Sequence, residues 1–531
     1  LYLELSGKGS ALYPTFLQPG RNGLLYILID LQFLCFDGII MREGLLRGFV
    51  SLAKRKPTPE SVMSVSLLLS AAYAVVTAFA DPTAVTYGLI SLPAAAAVFC
   101  CALTDFLTAV KDAGCFRVIA SQRPKYVAEK LRGTAREGTE FYKYLLDDSE
   151  LYTVKRADFV DGFFDRTTRR PEGEDLFGFL IAIILVAGIA LSGLQLYLGK
   201  TVYEAFTAFS KLTAFAMPLS AFFIINLPVI TANIVARKSG SALIGRAVGE
   251  EYADASVISF ADTEVYPANR VKITSIKTYG DYRIDLIIND LAKVFSFVGG
   301  PLKQVTSNML EGGADSSYTS ARLIESASDG ICVVIDGKEM FLGKKSYLRR
   351  YRFETPADAK DDRFEEAGGS VMFVTMNDML IAKVYVRYRI SEQFNSLLRD
   401  MYRAGMCVGI KTVDPNITTA LLERTVRYKK CPISILKAGE VGDVEGHTDR
   451  IDSGIVSTAS LHTFLRMFIV CDKVRHVTRS NGFINILSIV LAFFVAFFLA
   501  FTGELATVSS FYPVLFQLLW LLPIGVISFI L

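Results

Sequence analysis

The chain has 531 residues, 52% of them hydrophobic and 21% charged, with a net charge of +3 at pH 7. A mean hydropathy of +0.38 is too apolar for an ordinary soluble chain, so membrane spans are the first expectation. The charge is too small to suit nucleic acid, and the basic residues are expected to sort by membrane side. The eight cysteines contain no C-x-x-C pair, which suits a reducing compartment better than a disulfide framework. The three histidines lie apart in the sequence and leave no cluster to hold a metal. Leu1 is not a methionine and the chain stops inside "LLPIGVISFIL", so both ends read as cut.

A span needs about 20 apolar residues. The first stretch, 23–41, is interrupted by Asp30 and Asp37 and reads as either a span or an interfacial helix. "MREGLLRGFVSLAKRK" follows, its apolar residues at helical spacing between basic ones. It suits the membrane surface or a solvated linker helix. Spans are predicted at 59–80, 86–110, 176–199, 203–235, 482–502 and 505–531, paired into hairpins by short loops near Asp81, Gly199 and Gly503. The connections on the other side, 42–58, 111–174 and 237–480, carry the Lys and Arg and are assigned to the cytoplasm. Within 237–480 strand-like runs such as "ICVVID" and "VMFVTM" alternate with helical ones such as "EQFNSLLRDMYRAG". The strand–helix–strand order from Leu380 to Val413 predicts a parallel α/β sheet.

Three anchors stand in one ungapped register: Met217-Pro218-Leu219 in a membrane helix, Gly240-Ser241-Ala242-Leu243, and "FADTEVYP" from Phe260. In this the chain resembles P-type ATPases, above all the heavy-metal-transporting (class IB) branch. That family has Cys-Pro-Cys, a Gly-Ile-Leu turn and F-D-K-T-G-T-L-T at these places. "SDGICVVIDGKEMFLGKKSYL" resembles the glycine-rich core of its nucleotide-binding domain, with Gly330, Gly337 and Gly343 as nucleotide candidates. Thr412-Val413-Asp414-Pro415 stands where the family has Thr-Gly-Asp-Asn.

The resemblance implies a membrane α-helical bundle of six to seven spans plus a cytoplasmic α/β haloacid-dehalogenase-like phosphorylation domain. An α+β nucleotide-binding-like domain is inserted in it. The domain reading is 1–58, an N-terminal segment; 59–110, a hairpin; 111–174, a reduced actuator-like insert; and 175–236, a hairpin with a Pro-broken helix. Residues 237–275 and 385–480 form the phosphorylation-like domain, 276–384 the nucleotide-binding-like domain, and 481–531 the last hairpin.

The departures fall on the chemistry. The family nucleophile is the aspartate of D-K-T-G, whose carboxylate attacks the γ-phosphoryl group. Here Ala261 occupies that position, and a methyl group has no lone pair. Thr263 matches the motif threonine, but Asp262 replaces lysine and Glu264 replaces glycine. A one-residue slip makes Asp262 a substitute nucleophile, at the cost of turning the side chain to the opposite strand face. Otherwise Asp262 and Glu264 read as exposed turn carboxylates. "VGDVEGHTD", Val441 to Asp449, stands in weakly for the magnesium loop or is a surface loop. Asp414 reads as a cation ligand or as the cap of a helix starting near Ile417. The phosphatase Thr-Gly-Glu is absent from 111–174, the Thr502-Gly503-Glu504 between two spans lies on the wrong side, and no histidine precedes a proline.

The transport site departs too. Soft ions such as Cu(I) want thiolates. Met217 offers a thioether and Leu219 nothing, and Cys100 and Cys101 diverge around their helix. Asp105 reads as an intramembrane carboxylate or as a residue of the cytoplasmic edge. Pro218 and Pro228 interrupt the span 203–235 and retain the family's helix break.

The reading is a pseudo-ATPase of the heavy-metal branch with a regulatory or scaffolding role, set in the bilayer of the plasma membrane and without a nucleic-acid partner. A protein partner is expected through the cytoplasmic domain. The alternatives are an ATP-driven metal-cation transporter with an atypical site and a nucleotide sensor without turnover. Mg²⁺ and ATP are implied by the resemblance and disfavoured by the substitutions.

Overall fold

A computed structural model describes residues 22–530 apart from 83–88, 133–134, 147–148, 311–316, 357, 439–443 and 445. Val441, Gly442, Asp443 and Glu445 of the "VGDVEGHTD" stretch therefore lie outside the described residues. Among those described, seven helical segments are long and apolar enough to cross a membrane.

The helix α1 (Gly23–Ile40) is one of the seven despite its two aspartates. The amphipathic α2 (Arg42–Ala53) packs on α3 (Pro59–Ala80) through Gly48. A Cβ there would stand 2.1 Å from the Ser64 hydroxyl and 2.5 Å from the Glu60 carbonyl. The long α4 (Ser91–Ile119) leads to the insert, and α5 (Asp175–Tyr197) returns from it. Gly199, at φ +78°, turns α5 into α6 (Val202–Ala216). A capping box starts α6: the Glu204 N–H donates to the Thr201 hydroxyl and the Thr201 N–H to the Glu204 carboxylate.

The predicted break in 203–235 falls at Met217-Pro218, followed by a short 3₁₀ turn, Leu219–Phe222, and then α7 (Asn226–Lys238). Pro218 lacks the N–H that would continue α6, and its ring would meet the carbonyl four residues back. Pro228 is the third residue of α7, where an N–H has no helical partner anyway. The interruption therefore belongs to Pro218 and not to the pair.

The polar part contains two sheets. The strands are β1 (Lys125–Leu131), β2 (Glu150–Asp161), β3 (Ser241–Leu243), β4 (Ala255–Ala261), β5 (Val271–Thr278), β6 (Ala321–Ser326) and β7 (Gly330–Ile335). There follow β8 (Lys338–Gly343), β9 (Gly369–Met376), β10 (Met379–Tyr388), β11 (Cys407–Thr412), β12 (Ile433–Lys437), β13 (His447–Asp452) and β14 (Ile455–Ser457). The larger sheet runs β12-β11-β4-β2-β1-β14-β3, with β13 also paired to β2. Its first four strands are parallel, and the inner pair, β11 and β4, are buried nearly throughout, as parallel strands covered on both faces are. The smaller sheet, β5-β10-β9-β8-β7-β6, is antiparallel throughout, with α8 (Ile284–Val298) between its first two strands in sequence.

Two differences from the sequence reading follow. First, β10 and β11 do not share a sheet: β10 pairs antiparallel with β9 and β5, while β11 pairs parallel with β4. The chain crosses between sheets at 388–391 and again near 265–271. There the Arg389 N–H donates to the Arg270 carbonyl and the Ser391 N–H to the Val265 carbonyl. The inserted domain thus begins at β5 and ends with β10. Second, the insert 111–174 is not a unit of its own. Its β1–β2 hairpin enters the larger sheet, with β2 laid parallel against β4. A two-stranded hairpin is marginal alone, and pairing with β4 and β14 satisfies both of its edges. The last hairpin is α10 (Leu461–Thr502), one 42-residue helix capped by Ser460, and α11 (Phe511–Phe529); α9 (Glu392–Arg403) links β10 to β11.

Candidate functional site

Strand β4 ends at Ala261, and successive residues there face opposite sides of the sheet. Ala261 opens on a cavity of about 490 Å³ that Thr263, Glu264, Tyr126, Arg156 and His447 also line. Asp262 turns the other way and is fully buried. It is not the exposed turn carboxylate expected, because the Gly299-Gly300 turn after α8 packs against it. Gly300 holds φ at +77°, in the left-handed region that favours glycine, and a Cβ there would stand 3.4 Å from the Asp262 carboxylate.

In the parallel register Lys411 pairs with Ala261, which brings the next residue, Thr412, level with Asp262. The Thr412 hydroxyl donates to Asp262 at 2.5 Å, and the Asp414 N–H donates to Thr412 at 3.0 Å. Asp414 is also buried. Its two carboxylate oxygens accept from the Tyr388 hydroxyl (2.6 Å) and the Asn416 N–H (2.9 Å). The helix that follows, Thr419–Thr425, is capped by Thr418 and not by Asp414. Lys437, at the end of β12, donates to the Asp414 carbonyl at 2.7 Å. The chain of contacts continues across the domain junction through Asn416, Ser370 and Lys344 to Glu365.

Burial pushes the Asp262 carboxyl up to about 7, with nearby Asp414 adding to the rise and the Thr412 hydrogen bond opposing it. Burial also raises Asp414. Burial brings Lys437 down to about 8 against the pull of Asp414 and Asp262. These shifts describe a polar core, with a lysine ammonium already seated among the acids.

On the Ala261 side the insert takes hold of the strand end. Arg156, on β2, donates to Glu264 at 2.7 Å and to the Tyr126 hydroxyl at 2.8 Å. Tyr126, on β1, donates to the same Glu264 oxygen at 2.7 Å, and the Arg156 guanidinium lies over its ring. Further along β4 the Ser259 hydroxyl donates to the buried Glu137 of the insert, which Lys411 approaches at 3.3 Å. Glu264, expected to be exposed, is thus the anchor of an ion pair.

Magnesium favours oxygen ligands and several waters in octahedral geometry. Ala261 contributes no ligand, Asp414 accepts one hydrogen bond on each oxygen, and Asp262 has one buried carboxylate oxygen without a hydrogen-bond partner, so Asp262 and Asp414 are the groups that would hold the ion.

Of the glycine candidates, Gly330 and Gly343 pair across β7 and β8. Tyr347 lies directly on Gly330, where a Cβ would stand 2.0 Å from the ring. Gly337 sits in the turn at the far end of that hairpin, at φ +79° beside Asp336 at φ +50°, and is there for the turn. The cleft between the two sheets, about 570 Å³, is lined by five acids (Asp329, Asp358, Asp361, Asp362, Glu365) against Lys344, Lys345 and Arg424.

In the helix bundle Met217 is buried at the break. Asp105 is half-exposed and pairs with Arg47 of α2 at 3.2 Å, so Met217 and Asp105 are not brought together. Among the described residues, the polar groups around the break are uncharged apart from buried Lys211, which donates to the Val508 carbonyl. Ser220 donates to Asn485 at 2.7 Å, and Gln517 donates to the Phe215 carbonyl freed by the break. Asp158, His447 and Asp449 gather ligand atoms within 4.8 Å of one another, all exposed.

Sequence reasoning did not reach Arg156, Tyr126, Lys437 or Tyr388. Each arrives from a distant segment and carries no motif; Lys437 had one weak signal, a lone cation closing the apolar run "ISIL".

Fold and site together define a multi-span membrane protein whose polar part is a partly parallel α/β sheet carrying an inserted antiparallel domain. Its structural neighbours are zinc- and copper-transporting PIB-type ATPases. One crystal structure of a zinc-transporting PIB-type ATPase is 13% identical, with 95% of this chain and 98% of that one covered and a TM-score of 0.48. A second such structure, in the E2.Pi state, is 12% identical, with 96% and 99% covered and a TM-score of 0.49. The N-domain of HMA6, a copper-transporting P-type ATPase, is 11% identical, with 23% and 99% covered and a TM-score of 0.17. No family model matches the sequence, and no curated protein matches it.

Proposed function

We propose that this is a membrane pseudo-ATPase: a protein with a P-type pump layout that forms no phosphoenzyme and acts as a regulatory or scaffolding element. The observation that carries the reading is the division at the end of β4. The residue facing the open cavity is Ala261, and the carboxylate beside it is sealed on the opposite face. One further feature supports it. The insert, which would have to move against the sheet in a pump, shares strand pairing with β4 and grips Glu264. The cytoplasm is the side the basic loops favour for the polar domain, and the plasma membrane is the location proposed.

The second reading, an ATP-driven metal-cation transporter, rests on Asp262. It shares a face with Thr412 and lies near Asp414 and Lys437, a set suited to phosphoryl chemistry if the Gly299-Gly300 turn opened.

The test is incubation of the purified chain in lipid with γ-labelled ATP and Mg²⁺, then an acid quench. No acid-stable, hydroxylamine-sensitive label is expected. Label that appears and is lost in Asp262→Asn would establish the transporter in its place.

A further inference from the structure

A groove of about 500 Å³ lies where α5 and α10 leave the polar domain. Both helices change character at this level. The apolar run of α5 starts at Leu176 and that of α10 just after Asn481. Leu176 and Gly482 face each other there, and a Cβ on Gly482 would stand 3.6 Å from the Leu176 side chain. The groove therefore straddles the boundary between headgroups and hydrocarbon. Its lower wall is Leu176, Phe483 and Ile486, with Phe483 two-thirds exposed.

The upper wall is charged, and most of its charges are taken. Arg246 pairs with Glu174 at 2.8 Å and Arg475 with Asp254 at 2.5 Å. Glu250 accepts the N–H groups of Glu172 and Gly173 on its two oxygens. Among the described residues two lining side chains carry charge without a partner: the guanidinium of Arg479 and the carboxylate of Glu172. One free cation and one free anion above an apolar trough match a zwitterion with a hydrocarbon tail.

We infer that this groove binds a membrane phospholipid with a phosphoethanolamine headgroup. Arg479 meets the phosphodiester, Glu172 meets the primary ammonium, and an acyl chain lies along Leu176, Phe483 and Ile486. Arg suits phosphate through its planar fork of donors, and a primary ammonium donates to a carboxylate where a trimethylated one does not. The occupant comes from the bilayer because the trough opens onto it. Ile224 and Ile225, just after the helix break, also line the groove, so an occupied site touches the segment that Pro218 interrupts.

The experiment is native mass spectrometry of the full chain in detergent, titrated with phosphatidylethanolamine, phosphatidylcholine, phosphatidylglycerol or inorganic phosphate. The expected result is one phosphatidylethanolamine retained about tenfold more tightly than the other two lipids, the scale of one charge-assisted hydrogen bond. Arg479→Gln should weaken every phospholipid about tenfold. Glu172→Gln should abolish the preference for ethanolamine over glycerol and leave phosphatidylglycerol unchanged. Gly482→Leu, which touches neither charge, should block the trough and displace all three. Equal retention of the three lipids, no effect of Arg479→Gln, or full displacement of lipid by inorganic phosphate would each overturn the assignment.

Discussion

The two sides of the β4 end differ in kind. One is a closed polar core in which Asp262, Thr412, Asp414, Tyr388 and Lys437 bond directly to one another. The other is an open cavity at Ala261, where half-exposed groups of the insert meet Glu264. The buried carboxylate of Asp262 and the open cavity therefore lie on different sides of the strand end. The closed side behaves as structure, since low dielectric makes each of its contacts strong and each broken contact costly. The open side behaves as a surface joint.

Changes on the closed side should therefore cost more. Thr412→Val keeps the shape and removes the donor to Asp262, leaving a buried acceptor without its partner. It should destabilise by about 1–3 kcal/mol, read as a lowered thermal midpoint of the full chain in detergent. A neutral result would mean that Asp262 is reached by solvent, which favours the transporter reading.

The second prediction concerns pH. Asp262 is held near 7 in the fold and titrates near its ordinary value of 3.8 when unfolded. The unfolded state then loses its proton first, so stability is greatest below about pH 4. It falls as pH rises to about 7 and levels off above that. Asp414, raised by the same burial, slopes the same way, while Lys437 acts only above about pH 8. Asp262→Asn removes the Asp262 part, so the variant should gain on the wild type between about pH 4 and 7 in melting temperature. A difference that does not change with pH would place the Asp262 carboxylate in water.

The smallest effect belongs to the open side. Arg156 is 53% exposed and Glu264 20%, so Arg156→Ala should cost only about 0.5–1 kcal/mol. It should raise hydrogen exchange in β2 and leave β11 unchanged. If Arg156→Ala costs as much as Thr412→Val, the two sides are one cooperative core and the contrast between them fails.

Much of the layout was legible in the sequence. The apolar runs, the basic connections, the Met217-Pro218 break and the alternating strands of the polar domain are local patterns, and each survives in the fold. The contents of the site were legible only in part. Ala261 next to Asp262 at a strand end could be read directly, and so could the one-residue step that sends Asp262 to the other face. What covers each face could not. The cover over Asp262 comes from Gly299 and Gly300, and its polar surroundings from Tyr388, Thr412 and Lys437. The grip on Glu264 comes from the far side of two membrane helices.

Sequence by itself determined what is local: spans from long runs of apolar residues, a broken helix from a proline without an N–H, strands from short apolar runs, and a methyl group beside a carboxylate at the end of β4. Tertiary structure decided which strand lies beside β4, which carboxylate is buried, and where the insert ends its independence. Those outcomes depend on hydrogen-bonding edges and charges brought together from distant segments, as when β2 is laid against β4. No local pattern encodes such pairings, because the free energy that selects them arises only when the distant edges meet.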